Sequence, residues 1–263
     1  MRHSGNSMIR LRTKTYNYNF DRDTGFFMRW GESLEDNPRY SPVGPELADI
    51  EVSTVCSGLL GTPCPWCYKT NTPHGANMSL EKFTRVVRNI NPYGNLLQVA
   101  LGVGDIDANP DLVNMLRWCR ESGVVPNITV SGARLDSTFE GKTYYQHLAD
   151  YCGAVAVSHY DDDLCFDAVK RFTDLGVRQV NIHEILAEET IDECFSLLNK
   201  VRVDKRLEKL NAVVFLLFKP KGDRNNLTPL KSTEKYKQLV KFAIDSGISI
   251  GSDSCGAVKK KNI

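Results

Sequence analysis

The stretch Leu47-Ala48-Asp49-Ile50-Glu51-Val52-Ser53-Thr54-Val55-Cys56-Ser57-Gly58-Leu59-Leu60-Gly61-Thr62-Pro63-Cys64-Pro65-Trp66-Cys67 joins two signals. An apolar, strand-like run from Leu47 to Val55 feeds directly into three cysteines spaced C-x7-C-x2-C. Soft thiolates at the mouth of a strand suit Zn(II), an iron–sulfur cluster, or no metal at all. The C-x2-C pair alone also suits a redox disulfide. The rest of the chain has to choose between them.

Downstream, strand and helix patterns alternate. Leu47–Ser53 reads as a strand and Met78–Ile90 as a helix with Ser79 as N-cap. Leu97–Gly102 is a strand, and Asn109-Pro110-Asp111 opens a helix, with cap and N1 proline, that closes at Gly123. Strands at 127–131, 154–158, 179–185 and 212–218 alternate with helices at 143–151, 162–175, 190–201 and 233–246, and an extended run, 248–252, follows. Six strand-then-helix units imply parallel strands with right-handed crossovers.

One strand face is repeatedly polar or small: Asp49, Glu51 and Ser53; Gln98, Ala100 and Gly102; Asn127, Thr129 and Ser131; Ala154, Ala156 and Ser158; Gln179, Asn181 and His183. The other, with Ile50, Val52, Val99, Leu101, Ile128, Val130, Val155, Val157, Val180 and Ile182, is apolar. A doubly wound sheet wants both faces apolar. An α/β fold built as an open, partial (βα)6 TIM-like barrel with a polar lumen satisfies both faces, and ranks above a Rossmann-like sheet. Upstream, Tyr16, Tyr18 and Phe20 alternate with polar residues, then Asp23-Thr24-Gly25 turns into Phe26–Trp30. This predicts an N-terminal β-hairpin that covers an open end or edge of the sheet. The expected division is 1–46 hairpin and lead-in, 47–247 barrel, 248–263 short C-terminal extension.

With 263 residues the chain is near the ~250 usual for one α/β barrel. Its 41% hydrophobic and 25% charged residues are those of a globular protein with a full core. A net charge of +1 gives no overall pull toward nucleic acid or membrane, and the basic run Lys259–Lys261 reads as a solvated tail. No apolar run suits a signal peptide or approaches the ~20 residues of a membrane span, so a cytoplasmic protein is expected. There the eight cysteines stay reduced, and clustered ones read as ligands or catalytic thiols. Cys119, Cys152, Cys165 and Cys194, scattered through helical patterns, read as small buried hydrophobes.

Reactive groups in parallel α/β folds sit at the C-terminal ends of strands. Successive strand ends here carry Cys56, Gly102-Val103-Gly104-Asp105, Ser131-Gly132, Ser158-His159, His183-Glu184 and Lys219-Pro220-Lys221-Gly222, converging on one rim. The run Asp49–Val52 into three cysteines, Trp66 before the third, Tyr68 after it and the Gly-acid turn after strand two resemble the radical S-adenosylmethionine (radical SAM) superfamily.

The resemblance spans roughly 47–218. It implies that Cys56, Cys64 and Cys67 hold a [4Fe–4S] cluster with one iron left open for S-adenosylmethionine (SAM), whose reductive cleavage yields a 5′-deoxyadenosyl radical that takes hydrogen from substrate. It also implies SAM contacts from Trp66, Gly104, Asp105, Ser131, Ser158 and His183, with Asp105 receiving the ammonium, and an external flavodoxin- or ferredoxin-like one-electron donor.

Three departures stand out. The first spacing is seven residues where the family usually has three, so Ser57–Pro63 carries four extra. Gly-Val-Gly-Asp replaces the common Gly-Gly-Glu-Pro. Ser252-Asp253-Ser254-Cys255-Gly256 resembles the start of a C-terminal auxiliary-cluster (SPASM/twitch) extension, which makes Cys255 a candidate auxiliary ligand, yet no further cysteine follows. The Cys255 region leans toward a peptide or protein substrate. A small molecule stays open, and neither a nucleic-acid nor a membrane partner is expected. The competing reading is a non-catalytic or thiol-redox α/β protein with structural zinc at the cysteine loop, completed by His74. Taken singly, His159 and His183 read more readily as satisfied structural histidines than as catalytic ones, and Lys219 reads equally as a snorkelling surface lysine or a ligand.

Overall fold

The computed structural model describes residues 7–253. Three short strands, β1 (Met8–Arg12), β2 (Asn17–Asp21) and β3 (Phe27–Trp30), form an antiparallel sheet in the order β1-β2-β3. The expected hairpin is thus the second and third strands of a three-stranded meander.

The main body is a seven-stranded parallel sheet. Its strands are β4 (Leu47–Glu51), β5 (Gln98–Gly102), β6 (Val125–Val130), β9 (Ala154–Ser158), β10 (Gln179–Leu186), β11 (Ala212–Leu217) and β12 (Ile250–Ser252), neighbours in that order. A two-residue hairpin, β7 (Thr138–Phe139) with β8 (Lys142–Thr143), interrupts the path after β6. Six helices pack outside: α1 (Leu80–Ile90), α2 (Leu112–Glu121), α3 (Tyr144–Tyr151), α4 (Asp162–Asp174), α5 (Ile191–Val203) and α6 (Thr233–Asp245). The sheet is an open half-barrel, since its edge strands β4 and β12 do not pair with each other. The run after α6 joins it as the seventh strand, beside β11.

Local chemistry explains most boundaries. Ser79 accepts from the Lys82 N–H to start α1, Asp161 from Leu164 to start α4, and Thr143 and Gln146 close a capping box on α3. Helix α2 starts at Leu112, and Asn109 serves two ends: its Oδ1 accepts from the Asp111 N–H (2.9 Å) in the turn that opens the helix, while its amide donates to the carbonyls of Val52 (2.8 Å) and Met78 (3.0 Å). Its side chain thereby pins the exit of β4 to the start of α1.

The apolar strand face is buried as the alternation requires, with Val99, Val155, Val180 and Ile182 fully covered beneath the helices. Cys119, Cys152, Cys165 and Cys194 lie in this layer, and burial pushes all four thiols up, Cys119 and Cys152 to about 12. They are inert packing groups.

The meander closes the N-terminal mouth of the half-barrel. Phe20 packs on Leu97 and Val125, with Ile9, Tyr18 and Phe27 around them. Lumen-facing polar residues receive its turn: the Gln179 amide donates to the Thr24 carbonyl, and Asn127 donates to Gln98 at 2.7 Å. The lower lumen is therefore filled and satisfied.

Candidate functional site

Strand β4 ends where the cysteine loop begins, and four backbone bonds fix the exit. Cys56 N–H donates to Thr72 O (2.9 Å), Thr72 to Thr54 O (3.3 Å), Asp105 to Val55 O (2.9 Å) and Val52 to Gly102 O (2.8 Å). Gly104 lies so close that a Cβ there would overlap Val55 O and approach the Cys56 Cβ to 2.6 Å. The Gly-Val-Gly-Asp turn is thus a backbone bed for the first cysteine.

The seven-residue spacing resolves locally. Leu59 and Thr62 form an isolated antiparallel bridge, with Thr62 N–H donating to Leu59 O at 2.9 Å. Leu60 (φ 49°) and Gly61 (φ 87°) sit between them, the two positive φ values of a type I′ turn. At its base Gly58 meets Thr62 and Pro63, a Cβ on Gly58 falling 2.6 Å from Pro63 N. The four extra residues are pinched into an outward turn with Leu60 81% exposed at its tip, so Cys56 and Cys64 are linked by a short path.

All three thiols are free and half-buried. Each lies within electrostatic reach of the others, yet their environments differ. Burial pushes Cys56 up, partly offset by the Gly58 N–H and reinforced by the Asp105 carboxylate. Burial likewise raises Cys64. Burial acts on Cys67 as well, but N–H groups of Asn71, Lys69 and Thr70 and the Arg224 guanidinium outweigh it and hold the thiol below its ordinary value.

Trp66 packs on Tyr160 with ring centroids 5.6 Å apart, and Ser158 hydrogen-bonds the Tyr160 phenol, joining the cysteine loop to the end of β9. His183 faces the lumen with Nδ1 3.5 Å from the Thr129 hydroxyl, and burial pushes its imidazole down to about 4, so it is neutral. Lys69 pairs with Glu51 at 3.0 Å on the same rim. Ser131 is half-buried at the end of β6.

Asp105 is already engaged. Its Oδ2 accepts from the Ser57 N–H (2.9 Å) and hydroxyl (2.7 Å), with Arg134 Nε 3.8 Å away. It braces the cysteine loop. His159 and Glu184 face away from the lumen: His159 Nδ1 meets the buried Glu184 at 2.5 Å and Nε2 meets Asp162 at 2.9 Å, with Lys200 2.6 Å beyond. Burial alone would lower His159, but the two carboxylates raise it. This is a structural ion network behind the strand ends. Lys219 pairs with Asp253 at 3.1 Å, and Cys255 lies outside the described residues.

Several groups here carry no signal in the linear sequence: Tyr160 against Trp66, Arg134 bridging Asp105 and Asp107, and Arg224 over the third cysteine. A cleft of about 690 Å³ opens beside the type I′ turn, lined by Gly58, Leu60, Gly132, Arg134, Leu164 and Arg171 among others.

The donor set bears on what could bind. His74 is exposed, and among the described residues no three His, Cys, Asp or Glu side chains close around the place of a single metal ion. Three free thiols within electrostatic reach of one another at a strand exit fit a multi-iron cluster held by three thiolates. Buried Trp66 Nε1, Asn71 Oδ1 and Arg224 Nε lack hydrogen-bond partners around the same loop, leaving polar capacity for a bound group.

No protein-family model matches the sequence, and none of the curated proteins does. Solved structures do match the fold. SuiB of Streptococcus suis bound to precursor peptide SuiA aligns with TM-score 0.66 at 12% identity, over 97% of this chain and 73% of SuiB. SuiB bound to S-adenosylmethionine gives 0.60 at 10%, over 94% and 70%. HemN of Escherichia coli, coproporphyrinogen III oxidase and a radical SAM enzyme, gives 0.51 at 15%, over 80% of this chain and 54% of HemN. With its half-barrel, and its three cysteines at the exit of the first barrel strand, the chain has the fold of the radical SAM enzymes.

Proposed function

We propose that this protein is a radical SAM enzyme in which Cys56, Cys64 and Cys67 hold a [4Fe–4S] cluster. The observation that carries the reading is the set of three free, mutually reachable thiols at the end of β4, with unpartnered buried polar atoms on the same loop. When bound, such a cluster supplies the electron that cleaves SAM to a 5′-deoxyadenosyl radical able to take hydrogen from substrate.

The chain's own residues do the positioning. Gly104 lets backbone approach the first ligand, Asp105 fixes the loop through Ser57, and Trp66 on Tyr160 walls one side. Trp66, Gly104, Asp105, Ser131, Ser158 and His183 are the proposed SAM contacts, of which neutral His183 offers a hydrogen bond without charge. The closed lower mouth keeps water from entering behind the reactants. A peptide or protein substrate is favoured, supported by the peptide held by SuiB and by the cleft opening beside the cysteine turn. An external flavodoxin- or ferredoxin-like protein supplies the electron.

Anaerobic reconstitution with iron and sulfide tests the reading. The expected product is a brown protein holding four irons, lost in Cys64→Ala, that releases 5′-deoxyadenosine from SAM on reduction. A colourless protein that takes up one zinc overturns it.

A further inference from the structure

The loop after β11 reaches back across 153 residues of sequence to close on the third cysteine. Gly222, at φ 90°, packs so tightly that a Cβ would lie 2.5 Å from Cys67 O and 2.9 Å from Tyr68 Cα. Asp223 N–H donates to the Thr70 hydroxyl at 3.3 Å, and Arg224 donates through one terminal nitrogen to Asn71 O at 2.6 Å. Asn225 holds the loop in shape by donating to Lys219 O (3.0 Å) and Lys221 O (2.7 Å). The clasp delivers a guanidinium whose buried Nε–H has no acceptor of its own.

We infer that Arg224 is the fixed positive charge that sets the reduction potential of the cluster held by Cys56, Cys64 and Cys67, gripping it from the Cys67 side. The inference rests on the function proposed above. Three thiolates and a four-iron core make an anion, and reduction adds a further negative charge. A cation held against the sulfurs therefore stabilises the reduced form more than the oxidised one, and net charge and hydrogen bonds to sulfur are the levers a protein has on such potentials.

The opposite side of the site holds the other sign. Asp105 faces Cys56, but two Ser57 donors and Arg134 already engage it. Arg224, by contrast, keeps a buried N–H without an acceptor in a loop clasped onto the Cys67–Asn71 turn.

The test compares the parent protein with Arg224→Lys, Arg224→Met and Asn225→Ala, each reconstituted anaerobically. Iron and sulfide are counted, and the cluster is titrated with dithionite and mediators. Arg224→Met is expected to load fully and titrate at a more negative potential. Arg224→Lys should fall between it and the parent, and Asn225→Ala, which loosens the loop but keeps the charge, should titrate with the parent. Loading by Arg224→Lys but not by Arg224→Met also supports the inference, since charge then separates the two. It is overturned if Arg224→Met titrates with the parent, if Asn225→Ala shifts as far as Arg224→Met, or if neither Arg224 variant loads. A parent protein that takes up no iron–sulfur cluster instead overturns the proposed function, and the inference with it.

Discussion

The two mouths of the half-barrel start from the same kind of sequence and end in opposite states. At the N-terminal mouth, polar lumen residues Gln98, Asn127 and Gln179 find partners in one another and in the Thr24 turn. At the C-terminal mouth, Trp66 Nε1, Asn71 Oδ1 and Arg224 Nε are buried without partners. Unmade hydrogen bonds of buried groups cost about 1–3 kcal/mol each, so the upper mouth carries a cost the lower one avoids. Polarity alone does not mark a ligand site. Polarity left unsatisfied does.

Two glycines make the contrast testable, because each is a point where backbone meets neighbour without room for a methyl group. Gly104→Ala at the upper mouth has the largest expected effect. Its Cβ overlaps Val55 O and meets Cys56, and relief by backbone shift costs about 1–3 kcal/mol at the first ligand. Iron and sulfide uptake should fall about tenfold or more, since ~1.4 kcal/mol is a factor of ten, while the far-UV circular dichroism spectrum is kept. Normal loading by Gly104→Ala would remove the backbone bed from the argument.

Gly153→Ala is the counterpart below. A Cβ there comes to 2.5 Å from Val125 and 2.9 Å from Thr24 O, lifting the meander off the lower mouth. The expected loss is of similar size, about 1–3 kcal/mol, but it appears in thermal or urea unfolding, with iron per folded molecule unchanged. Should Gly153→Ala lose its iron as well, the two mouths act as one unit and the separation drawn between them fails.

How much of this was legible in the sequence follows the range of each interaction. The alternation of half-buried and buried side chains from Gln179 to Leu186 is written in adjacent residues, as are the Ser79 cap and the three cysteines. Contacts made across the fold leave no such trace. Asn109 caps the turn before α2 as its position suggests, accepting from the Asp111 N–H, but its amide also donates to carbonyls 57 and 31 residues away, which the linear sequence does not show. Asp105 falls where a cofactor carboxylate is expected, and its engagement with Ser57, 48 residues back, shows only in three dimensions. Arg224 sits in a loop read only as far as Gly222, and its role depends on a partner strand end far back in the chain. His159 and Glu184 were adjacent to the rim by position, but the strand's two-residue period sends Glu184 to the helix side, where it takes His159 with it.

The smallest effect is expected where the sequence departs most visibly from its relatives in fold. Removing Leu59–Thr62 leaves Cys56-Ser57-Gly58-Pro63-Cys64, a spacing of three residues. The excised segment is a self-contained turn closed by the Leu59–Thr62 bridge, and Gly58 already lies against Pro63 at its base. The chain ends that must be rejoined are thus close together before the cut. Loop-closure entropy changes by only ~0.6 kcal/mol per doubling of length, so shortening seven residues to three should shift stability by about that amount, slightly in favour of the folded loop. Iron and sulfide content should match the parent, and the redox titration should move only slightly, to a more negative potential, because the Leu59 N–H that hydrogen-bonds the Cys64 thiol leaves with the excised residues while the Asp105–Ser57 and Arg224–Asn71 bonds stay. What should change is the cleft, which loses Leu60 and Gly61 from its lining. A deletion that abolishes loading would mean that the turn holds Cys56 and Cys64 at their working separation, and the upper mouth would then owe its geometry to the inserted residues rather than to the strand exit beneath them.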